Sequence, residues 1–287
     1  MSETGLHIHF RSLFRQSLPG SRVNEDGSGL HGPYAWIVDG ATGVSDGQIT
    51  SAESDAAWLA ELLGAKLSAL SEAGRDPAML LKELEGEIAR AFDSVGGAEE
   101  SVGPSACLGL VMAAASARSG IVRLDGFFLG DVVALVPSQG GILRWTDERA
   151  KPFERRTLAA LGDGDTRTGQ PPEAVRRQIL ENRAKLNQPD GYWVVNPRRS
   201  WNGRELHFSA EIAAGAPVVL ATDGFMRLVD VFGAYTDASL YDAMAAGRGS
   251  ALLQELRERE RGDEAGRLFR RVKTHDDATA LVVVAEA

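Results

Sequence analysis

A chain of 287 residues that is 44% hydrophobic and 25% charged, with a mean hydropathy of −0.15, has the composition of a globular protein with a sizeable core. A net charge of −9 argues against general nucleic-acid binding, and no apolar run nears the roughly 20 residues of a membrane span. The lone cysteine, and an N-terminal MSETGLHIHFRS without a basic segment followed by an apolar one, set the expectation of a cytoplasmic protein.

Taken in chain order, short apolar runs that end in turn residues predict strands at 6–10, 34–38, 106–115, 121–128, 132–136, 192–195, 218–221 and 279–284. Between the second and third of these lie two helices. The first is expected to open at Thr50 with Glu53 completing a capping box, and it repeats Ala56, Leu59, Leu63, Leu67 and Leu70 on one face. The second has Asp76 as N-cap and Pro77 at the first helical position, followed by Leu80, Leu84, Ile88 and Ala91. Later helices are expected at 172–186 and at 251–272, the latter interrupted near Gly262.

Long β-rich stretches between helices do not alternate as a parallel α/β fold would, so two antiparallel sheets covered by helices fit better. The whole of 1–287 reads as one domain, with an Arg-rich insertion or flap at about 161–204. Residues 151–204 hold 11 Lys and Arg against 6 Asp and Glu, a basic island in an acidic chain. Such an island is either a solvated helix with its loops or a landing surface for an anion.

Three Asp residues share one setting, the meeting of an apolar strand with a turn. Tyr34-Ala-Trp-Ile-Val38 runs into Asp39-Gly40, Val218-Val-Leu-Ala-Thr222 runs into Asp223-Gly224, and Asp276-Asp277 leads into the strand at 279–284. Carboxylates at strand ends can converge at one sheet edge, and hard divalent cations take oxygen ligands. An isolated Asp-Gly reads as a turn, and Asp46-Gly47, Asp125-Gly126, Asp163-Gly164 and Asp190-Gly191 show how common the pair is here. Chemistry built on His or Cys finds no spacing to support it. Cys107 reads as a buried small hydrophobe. Neither a Gly-x-Ser-x-Gly elbow nor a Gly-Lys-Ser/Thr phosphate loop is present.

Six segments in order carry a resemblance: Asn24-Glu25-Asp26, Ile37-Val38-Asp39-Gly40, Gly103-Pro104-Ser105-Ala106, Leu129-Gly130-Asp131, Leu220-Ala221-Thr222-Asp223-Gly224 and Asp276-Asp277-Ala278-Thr279. Together they resemble the metal-dependent protein phosphatase family, type 2C, in a divergent, bacterial-like form. The resemblance implies an α+β fold, a four-layer α-β-β-α sandwich of two antiparallel sheets flanked by helix pairs. It implies two Mn²⁺ or Mg²⁺ ions per chain, with Asp39 bridging them and the Gly40 carbonyl as a ligand. Asp223 and Asp276 would complete one shell, and Glu25 or Asp26 would hold water around the other ion. Asp131 matches a third, weaker site. The catalytic residues would be Asp39 and Asp223, and the reaction the hydrolysis of a phosphomonoester by metal-activated water.

The chain also departs from the family's pattern. Ser21 stands where an Arg often grips the phosphate, and Arg22 lies one step closer, which makes Arg22 the candidate phosphate-binding residue. Ala41-Thr42-Gly43 offers no His general acid, leaving His275 as an alternative, and Val132-Val133 follow Asp131 in place of Ser-Arg. Arg198 and Arg199 are the sharpest candidates of the island for phosphate or acidic-substrate contact, against the reading of an ordinary solvated turn. The first functional expectation is a phosphoserine/phosphothreonine protein phosphatase with a phosphoprotein substrate and a cognate kinase, and with neither nucleic acid nor membrane as partner. The alternatives are a non-catalytic binding or regulatory module of the same fold, or a phosphatase of a small phosphorylated metabolite.

Overall fold

In the computed structural model, which describes residues 8–41, 48–96, 102–162 and 172–286, ten strands form two five-stranded antiparallel sheets. One sheet runs β1 (His9–Leu18), β10 (Ala278–Glu286), β9 (Pro217–Ala221), β6 (Val133–Ser138) and β7 (Gly141–Trp145). The other runs β2 (Asp26–His31), β3 (Tyr34–Ala41), β4 (Ser105–Ala115), β5 (Ile121–Leu129) and β8 (Leu206–Ala213).

Side chains alternate between faces along a strand, and both faces of the central strands are apolar. In β10, Leu281 and Val283 enter the core between the sheets, whereas Ala280 and Val282 pack outward on helices. In β3, Ala35 and Ile37 face the other sheet, whereas Trp36 and Val38 face helices α1 (Asp55–Glu72) and α2 (Pro77–Ser94). Helices α5 (Asp223–Asp230), α6 (Asp237–Ala245) and α7 (Gly249–Gly262) cover the β10 sheet through Phe225, Leu240, Met244, Leu252 and Leu256. Three apolar layers thus separate four layers of secondary structure, and the expected α-β-β-α sandwich is the architecture found. No helix of the described residues is long and apolar enough to cross a membrane.

Several local expectations are corrected. Helix α1 opens at Asp55, with the Ser54 hydroxyl accepting from Ala57 N at 3.0 Å, so Thr50 and Glu53 do not form its cap. Asp76 does cap α2, accepting from Ala78 N and Met79 N at 3.1 Å each. The strand expected at 6–10 falls partly outside the described residues, and β1 instead continues to Leu18. Residues 192–195 form no strand, only isolated bridges Leu186–Tyr192 and Ala106–Val195. Helix α7 stops at Gly262, because the Asp263 carboxylate then collects the backbone amides of Arg267, Leu268 and Phe269.

The basic island is more ordered than a loose insertion. It contains α3 (Lys151–Leu161) and α4 (Glu173–Ala184), which pack on each other, while residues 163–171 lie outside the described set. Its return strap is pinned to α2 by Glu85 Oε1, which accepts from Trp201 N at 2.6 Å and Asn202 N at 3.0 Å. Asn196 ties it to the start of β4, donating to the carbonyls of Val102 and Pro104 at 2.9 Å each.

Candidate metal centre

The alternation that buries Ile37 between the sheets also turns Asp39, two residues on, toward the same inter-sheet face at the strand's end. Its cross-strand partner in β2 is Asp26, so two carboxylates lie directly opposite one another, a pairing that ordinarily destabilises a sheet. From the second sheet, Thr222 and Thr279 reach across to Asp26 Oδ2, donating from their hydroxyls at 2.8 and 2.7 Å. Asp26 Oδ1 is buried with no hydrogen-bond partner. Loss of water around Asp26 raises its pKa to about 8 against the two threonine bonds, with Asp277 and Asp223 adding to the rise. Asp39 is pushed well above the carboxylate range, by desolvation first and then by Asp26, Asp223, Asp131 and Asp276.

The row extends across β4, where Cys107 pairs with Asp39 and its thiol donates to Asp131 Oδ1 at 3.2 Å. Desolvation and then Glu154 bring Asp131 to about 7. Asp223 reaches about 7 through desolvation, then Asp276 and Asp131. It stands at the first position of α5 rather than in a simple turn. The glycine after each key Asp serves a close backbone approach. A Cβ on Gly40 would lie 2.5 Å from the Glu25 carbonyl oxygen, and one on Gly224 would run into the Asp277 carbonyl. Gly224→Ala should therefore lower stability by about 1–3 kcal/mol, read as a drop in thermal midpoint.

Asp276 stands apart from its neighbours. Arg227 of α5 donates to its Oδ2 at 2.7 Å, and Lys273 to its Oδ1 at 3.1 Å. Burial alone would raise the Asp276 pKa, but these two cations outweigh it and hold it below the ordinary value. Behind it, Glu260 of α7 has no solvent exposure and binds Arg227 at 2.9 Å, Arg257 at 2.6 Å and His275 Nδ1 at 2.7 Å. Removing one member of a buried ion network leaves its partners uncompensated. Glu260→Ala is expected to destabilise by about 3–5 kcal/mol, and an unchanged denaturation midpoint would refute that reading.

The structure thus gathers Asp26, Asp39, Asp131, Asp223 and Asp276 at one edge of the sandwich, each influencing the charge of others. Glu25 contributes backbone here: its carbonyl accepts from Gly40 N at 3.0 Å and its amide donates to Asp277 at 2.7 Å. Arg22 is 86% exposed and sits 3.8 Å from Glu53. Arg198 bonds Asp93 and lies over the Phe92 ring, and Arg199 donates to the Leu186 carbonyl at 2.6 Å, so both serve the strap. Thr42 and Gly43 lie outside the described residues.

Sequence reading missed Glu154, Arg227, Lys273 and the two threonines. Arg227 carried a usable signal: it is four residues past Asp223, the spacing of one helix face, had that segment been read as helix.

The donor set is all oxygen, crowded with negative charge, and includes an orphaned Asp26 oxygen, which is the chemistry a hard divalent cation satisfies. Among the described residues no three His, Cys, Asp or Glu side chains are already gathered in metal-holding geometry. The fit is one of chemistry and position, on the side of Asp26, Asp39, Asp131 and Asp223, while Asp276 already has cationic partners.

No protein-family model matches the sequence, and no curated protein matches it. Solved structures do. The Mycobacterium tuberculosis serine/threonine phosphatase PstP/Ppp aligns over 97% of this chain and 99% of its own, at 16% identity and a TM-score of 0.55. The PstP catalytic domain in complex with two manganese ions covers 98% and 100%, at 16% identity and 0.54. The PPM Ser-Thr phosphatase MsPP from Mycobacterium smegmatis, in complex with cacodylate, covers 95% and 98%, at 17% identity and 0.52. The fold is that of the bacterial PPM, or type 2C, Ser/Thr phosphatases. At these identities the likeness is one of fold, and the chemistry must be argued from the residues.

Proposed function

We propose that this protein is a divergent PPM-type phosphatase that hydrolyses phosphomonoesters, foremost phosphoserine and phosphothreonine in proteins, with Mn²⁺ or Mg²⁺. The observation that carries this reading is the opposed Asp26–Asp39 pair at the inter-sheet edge, with Asp131 and Asp223 beside it and an Asp26 oxygen without a partner. In this reading Asp39, the Gly40 carbonyl, Asp223 and Asp276 would hold two ions, with Glu25 or Asp26 holding water around the second and Asp131 toward a third, weaker one. Bound divalent ions supply activation of water near neutral pH and compensation of charge on the phosphoryl oxygens.

The chain's own residues position and orient. Thr222 and Thr279 fix Asp26 by donating to one oxygen, which leaves the other buried and without a hydrogen-bond partner. Asp277 holds the loop before β2, accepting from Gly20 N at 2.6 Å and from Glu25 N. Activity would then be exerted on a cytoplasmic phosphoprotein that a kinase has modified. Turnover of p-nitrophenyl phosphate and a phosphopeptide with Mn²⁺, set against Asp39→Asn, tests the reading; equal rates would end it. A panel of phosphorylated metabolites run beside the phosphopeptide assigns the substrate class.

A second reading, a binding module without catalysis, is favoured by one observation, the occupation of both Asp276 oxygens by Arg227 and Lys273. Calorimetry with Mn²⁺ separates the two, since a module that has lost its metals shows no binding heat.

A further inference from the structure

A side-chain cation beside the carboxylates would meet the dianionic phosphoryl group, and of the cations the sequence offered, Arg198 and Arg199 serve the strap and Arg22 is displaced. We propose, on the basis of the phosphatase reading above, that Lys273 is the phosphate-binding side chain of this site.

Its ammonium lies 3.1 Å from Asp276 Oδ1, yet the side chain remains 66% exposed, so it bridges the carboxylate cluster and solvent. An ammonium has three donors, and among the described residues its hydrogen bonding is the single contact to Asp276. The loop that carries it is fixed. Thr274 donates from its hydroxyl to the Glu264 carbonyl at 3.0 Å, His275 is bonded to Glu260, and the Asp276 carbonyl accepts from Arg257 at 2.7 Å. A flexible four-carbon stem on an immobile base carries a compact point charge that can swing from Asp276 to a nearby phosphate.

The neighbouring cations are otherwise engaged. Arg227 is 7% exposed and bonded on both sides, by Glu260 and Asp276. Arg257 donates to Glu260 and to the carbonyls of Leu18, Pro19 and Asp276. Arg22 is the exception, 86% exposed and 3.8 Å from Glu53, which makes it the rival cation for the phosphate. The fields of Asp276, Asp223 and Asp39 reinforce the positive charge of Lys273, which keeps it cationic wherever the enzyme works. An incoming phosphate draws the ammonium from Asp276 Oδ1 and leaves that carboxylate with Arg227.

The test is titration of the Mn²⁺-loaded protein with inorganic phosphate by calorimetry, alongside steady-state kinetics on p-nitrophenyl phosphate. Lys273→Gln should weaken phosphate affinity and raise KM by about ten- to hundredfold, with a smaller change in kcat, as expected for losing one charge-assisted bond. Lys273→Arg should recover part of both. Lys66→Gln, which removes an equal charge from a surface pair between α1 and α2, should match the parent. Unchanged phosphate affinity in Lys273→Gln overturns the proposal, as does a loss that appears in Arg22→Ala instead. If Lys273→Gln alters only Mn²⁺ affinity or melting temperature, the residue is a counter-charge to Asp276 and the assignment is wrong. A parent protein that binds phosphate through Lys273 without turnover removes the phosphatase reading and leaves the assignment standing. A parent protein that binds no phosphate removes the assignment.

Discussion

Asp39→Asn is expected to lower phosphatase turnover by about a thousandfold, equivalent to ~4 kcal/mol of transition-state stabilisation, while making the metal-free protein more stable. The two halves of this result come from one geometry. Asp39 faces Asp26 across the β2–β3 pair and is also felt by Asp223, Asp131 and Asp276. In the absence of cations that crowding disfavours the fold, and an amide of the same shape relieves it. In the proposed metal centre the same carboxylate would be a ligand, and an amide is a poorer ligand for a hard cation. Melting with chelator and with Mn²⁺, beside kinetics, reads both effects. A variant that is inactive and also less stable without metal would mean that Asp39 is structural, and the reading of the edge as a metal centre would fall.

How far the sequence reached follows from which contacts are local. Asp39, Asp223 and Asp276 were visible because each follows or precedes a strongly apolar strand, and strand ends at one edge of a sandwich converge. The α1 and α2 helices were visible through their apolar spacing. Strand β2, Asp-Gly-Ser-Gly-Leu-His, has no apolar periodicity, because its glycines make room for neighbours; a Cβ on Gly29 would collide with the Trp36 ring. Without β2 the opposition of Asp26 to Asp39 was out of reach. Helices α3 and α5 were missed for different reasons. The first is charged on most faces, with only Phe153 and Leu161 buried, and the second has just eight residues, barely two turns in which a helical period can show. Glu154 and Arg227 ride on those two helices, which is why the extra carboxylate of the centre and the buried cation on Asp276 came only with the fold. The family resemblance supplied the order of the motifs but not the charges that this chain places around Asp276.

Those charges give the centre a pH dependence with a definite sign. Free aspartates ionise near ~4, whereas Asp131 and Asp223 are held at about 7 and Asp26 at about 8 by desolvation first and then by neighbouring carboxylates, Glu154 and Asp277 among them. Groups raised in the folded state bind protons there that the unfolded chain has already released. The stability they confer is fully present below the unfolded value and is lost as pH rises through 7 and 8. Asp276 acts in the opposite sense: its lowered pKa gives stability above the ordinary carboxylate range that disappears as pH falls below it. With four raised aspartates, Asp39 among them, against one lowered, the metal-free protein should melt at least ~10 °C lower at pH 8 than at pH 5, a size set by the few degrees that each kcal/mol is worth in a chain of this length. Divalent cations compete with those protons, so the stabilisation by Mn²⁺ should grow over the same interval, and binding should release protons to the buffer. Asp39→Asn should flatten both trends, since it removes one member of the repelling set. Melting curves at pH 5, 6, 7 and 8, with chelator and with Mn²⁺, decide the matter: a metal-free midpoint that rises toward pH 8 would mean that the carboxylates are compensated by the protein alone, and the argument for a cation at the Asp26–Asp39 edge would lose its electrostatic basis.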